Sequence, residues 1–477
     1  MSDILGVPAL ADDPEINGLT ADSRAVGPNF LFAALPGSRS DGRDHVEAAI
    51  QAGAVAVLAP PGFSRPGIVV IQDPLPRRAF ALAAARFFGR QPATIAAVTG
   101  TNGKTSVVTF TRQIWARLGL SAASLGTLGV VGPAGWARGG LTTPDPVALH
   151  KGLAELAAAG IDHAAIEASS HGLDQFRLDG VRLRAAAFTN LTRDHLDYHA
   201  DMEAYLAAKL RLFGDLLPEG AGAVVNSDAP DAGRVLGFCH ARRLNILTFG
   251  EAPEADLRIV EAIPAGGGQD LSLVLLGRAV SLHLPLAGAF QASNALCALG
   301  LVLACGGDPI AAAAALETLE GVPGRLEKVA ERSNGAPVFV DYAHTPDALE
   351  TVLKALRPHA ARRLAVVFGC GGDRDPGKRP PMGRIAAELA DRVIVTDDNP
   401  RGEAPEAIRR QILDACPGAR EIGDRGRAIA QAVAELEAGD VLVLAGKGHE
   451  TGQTAKGVTT PFDDAHVARD AVKAVES

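Results

Sequence analysis

Stretches of apolar residues ending in glycine-rich or polar turns, each followed by apolar positions at helical spacing, recur along most of the chain. In the sharpest case, residues 94–98 read as a buried strand that runs into Gly100-Thr101-Asn102-Gly103-Lys104-Thr105-Ser106. Val107, Phe110, Ile114 and Leu118 then share one helical face until Gly119 stops the run. Upstream, 29–35 and 55–59 read as strands, 45–52 and 77–88 as helices, and Gly89-Arg90-Gln91-Pro92 as a linker. In the last third, 364–368, 393–395 and 441–444 are apolar strands, each running directly into a polar or glycine-rich loop.

This alternation predicts an α/β protein with largely parallel sheets covered on both faces. A length of 477 residues suits about three domains. The punctuation divides them into a small α/β domain over 1–88, a central parallel-sheet domain of the P-loop ATPase type over 89–322, and a Rossmann-like α/β domain over 323–477. The middle boundary falls at Gly321-Val322-Pro323-Gly324.

A glycine-rich loop between a strand and a helix is a phosphate cradle, because unpaired N–H groups and the positive end of the helix dipole face whatever enters. Lys104 would reach the β/γ-phosphates and the Thr105 hydroxyl would hold Mg²⁺. The motif is shorter than the usual one, since Val98 stands where a glycine normally opens it.

Apolar residues make up 47% of the chain and charged residues 21%, enough for several packed cores. A net charge of -9 without a long basic run argues against nucleic acid as the main partner. Any anionic substrate must then be held by local cations. The five cysteines are scattered and odd in number, so they predict apolar filling in a reducing compartment rather than disulfides or a zinc site. No apolar run approaches a membrane span, and a soluble, cytoplasmic, monomeric protein is expected.

Two further segments carry chemistry in the central domain. Residues 164–172 set Glu167 at the end of a short apolar strand, and 188–199 end another strand in a cluster that includes Asp194, His195, Asp197 and His199. Such groups suit Mg²⁺ contacts, or else hydrogen-bonded loop support. In the last domain the three loops 369–375, 396–401 and 445–450 lie beyond carboxyl strand ends, where open parallel sheets bind ligands, and so predict a second site.

Taken together, 99–106, Thr142-Thr143-Pro144, 167–173, 189–199 and 341–347 resemble the Mur ligases of peptidoglycan synthesis, in family order along essentially the whole chain. Residues 369–379 and Asp398-Asn399-Pro400-Arg401 are similar to the branch that adds a diamino acid. The resemblance implies an ATP-dependent, ADP-forming carboxylate-amine ligase. Its expected partners are UDP-N-acetylmuramoyl-L-alanyl-D-glutamate and meso-2,6-diaminopimelate, and its cofactors ATP and Mg²⁺.

The resemblance also implies residue roles. Gly100, Thr101, Asn102, Gly103, Lys104, Thr105, Ser106 and Asn294 would bind ATP, with Arg325 and His344 facing the nucleotide from the last domain as the domains close. Thr105 and Glu167 would hold one Mg²⁺ and His195 a second, bridged by a carbamylated Lys209, and Lys104, Glu167, His195 and Lys209 would serve the catalysis. Ser23, Ser38, Arg39 and Ser40 would hold the uridine diphosphate end, and Thr142, Thr143, Ser169, Gln175 and Arg177 the muramoyl peptide. Arg374, Asp398, Asn399, Arg401, Gly446 and Glu450 would hold the amino acid, with Arg401 and Arg374 on its distal carboxylate and Asp398 or Glu450 with Asn399 on its ammonium. Gln291 stands where the family often has Asn and is left without a role. A folylpolyglutamate synthetase, which the Asp-Asn-Pro-Arg loop and the Ser23 region argue against, and a non-catalytic nucleotide switch are the competing readings.

Overall fold

The computed structural model describes residues 1–8, 13–37, 40–133, 135–137, 141–192, 194, 195, 198–265 and 268–476. Two compact units are formed, Met1–Arg258 with Asn294–Ala315, and Ile259–Ser293 with Leu316–Ser477.

The first unit opens with a four-stranded parallel sheet in the order Gly18–Thr20, Phe30–Ala33, Ala54–Ala59, Val69–Gln72. Phe80 and Ala83 of helix Pro76–Phe88 close its core over Leu31, Ala33, Ala56 and Leu58. In the second sheet of this unit, strand Thr94–Thr99 lies between His163–Glu167 and Ala185–Phe188, parallel to both. Ile95 to Thr99 are all buried, which explains why this strand reads as a continuous run rather than an alternation. Its register sets Val98 opposite Glu167 and Thr99 opposite Phe188, so the loops that follow all three strands leave the sheet side by side.

The second unit departs from strictly alternating strands and helices. Residues 268–284 form an antiparallel hairpin, Gly268–Leu275 with Arg278–Leu284, turning through Leu276 and Gly277, both at positive φ. Buried Leu271, Leu273 and Leu275 alternate with more exposed neighbours at the period-2 spacing of such a strand. The larger sheet runs Glu327–Glu331, Pro337–Asp341, Val441–Ala445, Leu364–Phe368, Arg392–Val395, Arg420–Glu421, with every pairing after the first parallel. Successive residues feed opposite cores. Val366 and Val443 pack with Leu349, Met382 and Ile408 on one face, whereas Val367 and Leu442 pack with Ile429, Val433 and Ala468 on the other. The three strands singled out from sequence are neighbours here.

All five cysteines are unbonded and four are buried, with burial pushing the Cys239 and Cys305 thiols up to about 12. Among the described residues no helix is long and apolar enough to cross a membrane.

The C-terminal helix Asp464–Glu476 is anchored by an ion pair with no solvent exposure. Arg425 Nε and Nη2 donate to the two Asp464 oxygens at 2.7 and 2.6 Å, and Nη2 also donates to Ala445 O. Asp464→Ala leaves that guanidinium buried without its carboxylate, which should cost about 3–5 kcal/mol. Urea denaturation reads this as a lower midpoint, and a midpoint equal to that of the unaltered protein overturns the assignment.

Candidate functional site

The phosphate loop is held from beneath by the loop that follows Ala185–Phe188. Asn190 accepts Thr101 N–H on its carbonyl and Asn102 N–H on its side-chain oxygen, both at 2.9 Å, and Thr189 Oγ1 donates to Asn102 O at 2.6 Å. Gly100 and Gly103 are required by this packing. Both have positive φ, and a Cβ would lie 1.9 Å from Thr189 Oγ1 at the first and 2.5 Å from Asn294 Oδ1 at the second. Asn294 therefore abuts the loop. Thr105 and Ser106 are buried in the first turn of helix Lys104–Arg117. Lys104 Nζ folds back onto the loop, donating to Gly100 O and Thr101 O at 2.8 Å each.

Glu167, almost fully buried, accepts Thr127 N–H on Oε1 at 2.8 Å and the Thr127 hydroxyl on Oε2 at 3.2 Å. Thr127 Oγ1 lies 3.1 Å from Thr142 Oγ1, Thr143 Oγ1 donates to Glu167 O, and Ser169 Oγ donates to Thr143 Oγ1 at 3.0 Å. The Thr-Thr motif and the strand end carrying Glu167 are thus one network, with Thr127 as a link the sequence reading missed. Ser169 Oγ also accepts Gly172 N–H as the cap of helix Ser170–Asp174, so its geometry is that of a cap.

Lys209 ends its side chain inside the protein. Its Nζ donates to Gly100 O at 2.8 Å and sits 4.2 Å from the centroid of the Tyr205 ring. Burial lowers its proton affinity well below that of a free lysine, and the nearby Lys104 charge adds to the effect. The Tyr205 hydroxyl, pushed up to about 12 by burial, lies 3.2 Å from Thr101 Oγ1. His195 adopts a left-handed backbone (φ 54°), with its ring 4.9 Å from His171 and 6.0 Å from Tyr205. Asp197 lies outside the described residues.

The hydroxyl of Thr105 and the carboxylate of Glu167 are the hard oxygen donors that Mg²⁺ favours. The Lys209 ammonium is a donor in this state and would become a ligand only as a carbamate. Among the described residues no three His, Cys, Asp or Glu side chains form a group able to hold a metal ion.

A cavity of about 660 Å³ opens between the N-terminal sheet and the second sheet of the first unit, lined by Asp22, Phe30, Arg77, Lys151, Gln175 and Arg177 among others. Arg177 donates to Gln175 Oε1 and to Thr143 O, so its guanidinium is already oriented. Arg77 and Lys151 add positive charge that the sequence reading did not assign. Ser23 is not among the lining residues, although Asp22 and Ala25 on either side of its turn are. Ser40 Oγ lies 2.7 Å from His45 Nε2, while Ser38 and Arg39 are outside the described residues.

In the second unit the three predicted loops converge. Arg401 Nη1 donates to Gly372 O at 2.8 Å, Asn399 Nδ2 donates to Glu450 Oε2 at 2.9 Å, and a Cβ on Gly446 would lie 2.8 Å from Asp398 Oδ2. Asp398 and Asn399 are buried, and Arg374 is exposed. Buried Arg379 clamps the array, donating to Gly371 O and Glu403 Oε1. Two supports escaped the sequence reading. A hairpin, Gly452–Ala455 with Val458–Pro461, backs Arg401, whose N–H donates to Thr454 O, and buried Lys447 bonds Asn399, Glu450 and Gly452.

Arg325 and His344 belong to this second unit. The Arg325 guanidinium stacks 4.8 Å from the Tyr342 ring centroid, and Gln291 donates to Arg325 O at 3.1 Å, which gives that glutamine a supporting contact. His344 Nδ1 lies 2.9 Å from Tyr342 O. Asp341 accepts the N–H groups of Leu326 and Ala343, and burial pushes its carboxyl from 3.8 up to about 6.

The folded protein thus holds the Asp341 proton between about pH 4 and 6, where the unfolded chain has released it. That contribution to stability is complete below pH 4 and is lost as pH rises through about 6. Two units correspond to about 3 kcal/mol. Denaturation midpoints measured from pH 4 to 7 should therefore fall less steeply with rising pH in Asp341→Asn than in the unaltered protein, and parallel curves would overturn the assignment.

Three family models match the chain: "Mur ligase family, catalytic domain" over 15–87, "Mur ligase middle domain" over 98–302, and "Mur ligase, glutamate ligase domain" over 324–448. A curated relative from Bradyrhizobium diazoefficiens, a UDP-N-acetylmuramoyl-L-alanyl-D-glutamate--2,6-diaminopimelate ligase, is 56% identical over 94% of this chain and 93% of its own. A solved structure of an enzyme of the same description is 35% identical with a TM-score of 0.76, covering 100% of this chain and 99% of that one. A MurF ligase from Thermotoga maritima in complex with ADP shares the fold at 18% identity and a TM-score of 0.62, covering 100% of this chain and 98% of its own. With three family models in order along it and a relative 56% identical over 94% of its length, the chain belongs to the Mur ligase family.

Proposed function

We propose that the protein joins meso-2,6-diaminopimelate to UDP-N-acetylmuramoyl-L-alanyl-D-glutamate at the expense of ATP. The observation that carries this reading is the meeting of loops in the second unit, where Arg401 and Asp398 follow one strand and Glu450 follows another, the two strands flanking Leu364–Phe368. A site with both signs of charge suits an amino acid whose far end is itself a zwitterion. The 56% identity to a ligase of that description supports the same substrates.

Joining a carboxylate to an amine in water requires an activated acyl group. The D-glutamyl side-chain carboxylate attacks the γ-phosphorus of ATP, the bond to the β-phosphate oxygen breaks, and ADP and an acyl phosphate result. The amine then attacks the acyl carbon, phosphate leaves with the bonding pair, and the amine proton passes to solvent. Lys104 leaves its loop carbonyls to neutralise phosphate charge, and the loop N–H groups orient the oxygens. The cavity holding Arg77, Lys151 and Arg177 takes the UDP-linked peptide, with Arg177 offering a planar double donor.

Lys209 is poised for carbamylation, because a buried amine with reduced proton affinity can attack CO₂ and release one proton. Thr105 and Glu167 would hold one Mg²⁺ and His195 with the Lys209 carbamate a second, which would supply charge neutralisation on the phosphate oxygens. The chain is read as a cytoplasmic monomer.

Lysine lacks the distal carboxylate and would leave half-buried Arg401 without its partner, a difference of about 2–3 kcal/mol, or roughly 30- to 150-fold in kcat/KM. Phosphate release and product mass, measured with ATP, Mg²⁺, the UDP-muramoyl dipeptide and each amino acid, should favour diaminopimelate by that margin. Arg401→Ala should erase the preference while leaving ATP binding intact. Equal turnover of both amino acids by the unaltered protein would overturn the reading.

A further inference from the structure

Lys447 lies two positions beyond strand Val441–Ala445 and has no solvent exposure. An ammonium has three protons to place, and three acceptors take them here: Gly452 O at 2.6 Å, Glu450 Oε2 at 3.2 Å and Asn399 Oδ1 at 3.3 Å. No proton remains for a ligand, so direct contact with substrate is not its task.

The effect of these bonds is on the neighbours. Asn399 Oδ1 accepts from Lys447 and also from the Thr454 N–H at 2.9 Å, and both of those partners can only donate. On its other side, Asn399 Nδ2 meets Glu450 Oε2 at 2.9 Å, a carboxylate oxygen that can only accept when ionised. A flipped amide would point its N–H groups at two donors and its oxygen at a carboxylate. The same ammonium ties together the loops after Arg392–Val395 and Val441–Ala445 and the start of hairpin strand Gly452–Ala455.

We propose that Lys447 is a positioning residue for the amino-acid pocket, fixing the orientation of the Asn399 amide and the placement of Glu450. With Oδ1 saturated, Asn399 has only N–H to offer a ligand, so it does not meet the ammonium as the resemblance implied; with Oε2 shared, Glu450 keeps Oε1 for that ammonium. This inference rests on the reading of the second-unit pocket as the amino-acid site.

The test is steady-state kinetics on the full chain with Lys447→Met, which keeps the length of the stem and removes the three protons, and with Lys447→Gln, which keeps two N–H donors. The KM for meso-diaminopimelate should rise at least tenfold in Lys447→Met and less in Lys447→Gln. The KM values for ATP and the UDP-muramoyl dipeptide should stay within about twofold, and kcat at saturating amino acid within about threefold. A merely structural lysine would move all three KM values together, or none, and either result overturns the proposal. Should Lys447→Met fail to fold, as judged by thermal melting, Lys447→Gln is held to the same criteria. An unaltered protein that does not turn over diaminopimelate would sink the proposed function. Normal turnover with an unmoved KM in the variants would sink this inference alone.

Discussion

A buried ammonium must be paired or lose its charge, and each unit of this protein sets one lysine against that constraint in a different way. Lys447 has a carboxylate, an amide oxygen and a carbonyl, and is held as a fixed strut. Lys209 has one carbonyl hydrogen bond and an aromatic face, and its proton is held weakly. Pairing compensates the burial of the first charge, and the lack of a carboxylate lowers the proton affinity of the second. Gly100, whose carbonyl accepts from both Lys104 and Lys209, is the point at which the phosphate loop meets this constraint.

The placement of Lys447, and of the phosphate loop against which helix Met202–Arg211 sets Lys209, follows from strands buried on both faces. A parallel strand inside a covered sheet has no solvated side for polar groups, so its chemistry is displaced to the carboxyl end. In the first unit this brings the phosphate loop beside Glu167 and beneath it the Thr189-Asn190 support. In the second unit, three neighbouring strands deliver glycine-rich, acidic and basic loops to one place. Close approach is then enforced from below. Arg379, buried and bonded to Gly371 O and Glu403, draws the glycine-rich loop against the loop that carries Arg401.

Much of this was legible in the sequence because it is local. Strands that are continuously apolar and loops that follow them directly leave a pattern within a dozen residues, and the strands expected over 94–98, 364–368 and 441–444 appear as Thr94–Thr99, Leu364–Phe368 and Val441–Ala445. What escaped depends on pairing at a distance. Thr127 sits in an unremarkable stretch and matters only because strand register brings it to Glu167, forty positions away. The hairpin over 452–461 has too few apolar residues to announce itself, yet it determines where Arg401 stands. The meander over 268–284 does alternate at period 2, and a reading that expected helices between strands passed over it.

Arg401 shows how a loop can be made rigid where a ligand is to be recognised. Its φ of 52° lies in the left-handed region, a cost of about 1–2 kcal/mol for a residue with a side chain. The hairpin offsets this through the backbone, with Arg401 N–H donating to Thr454 O at 3.0 Å and Lys456 N–H donating to Arg401 O at 2.6 Å. The main chain is therefore fixed without drawing on the guanidinium. Among the described residues, Gly372 O is the single acceptor hydrogen-bonded to that group. Its orientation is therefore set by the backbone rather than by protein carboxylates, which limits the orientational entropy the side chain has left to lose. An arginine positioned instead by protein carboxylates would have been satisfied before any substrate came. Placing the strain in the backbone is what keeps its charge available.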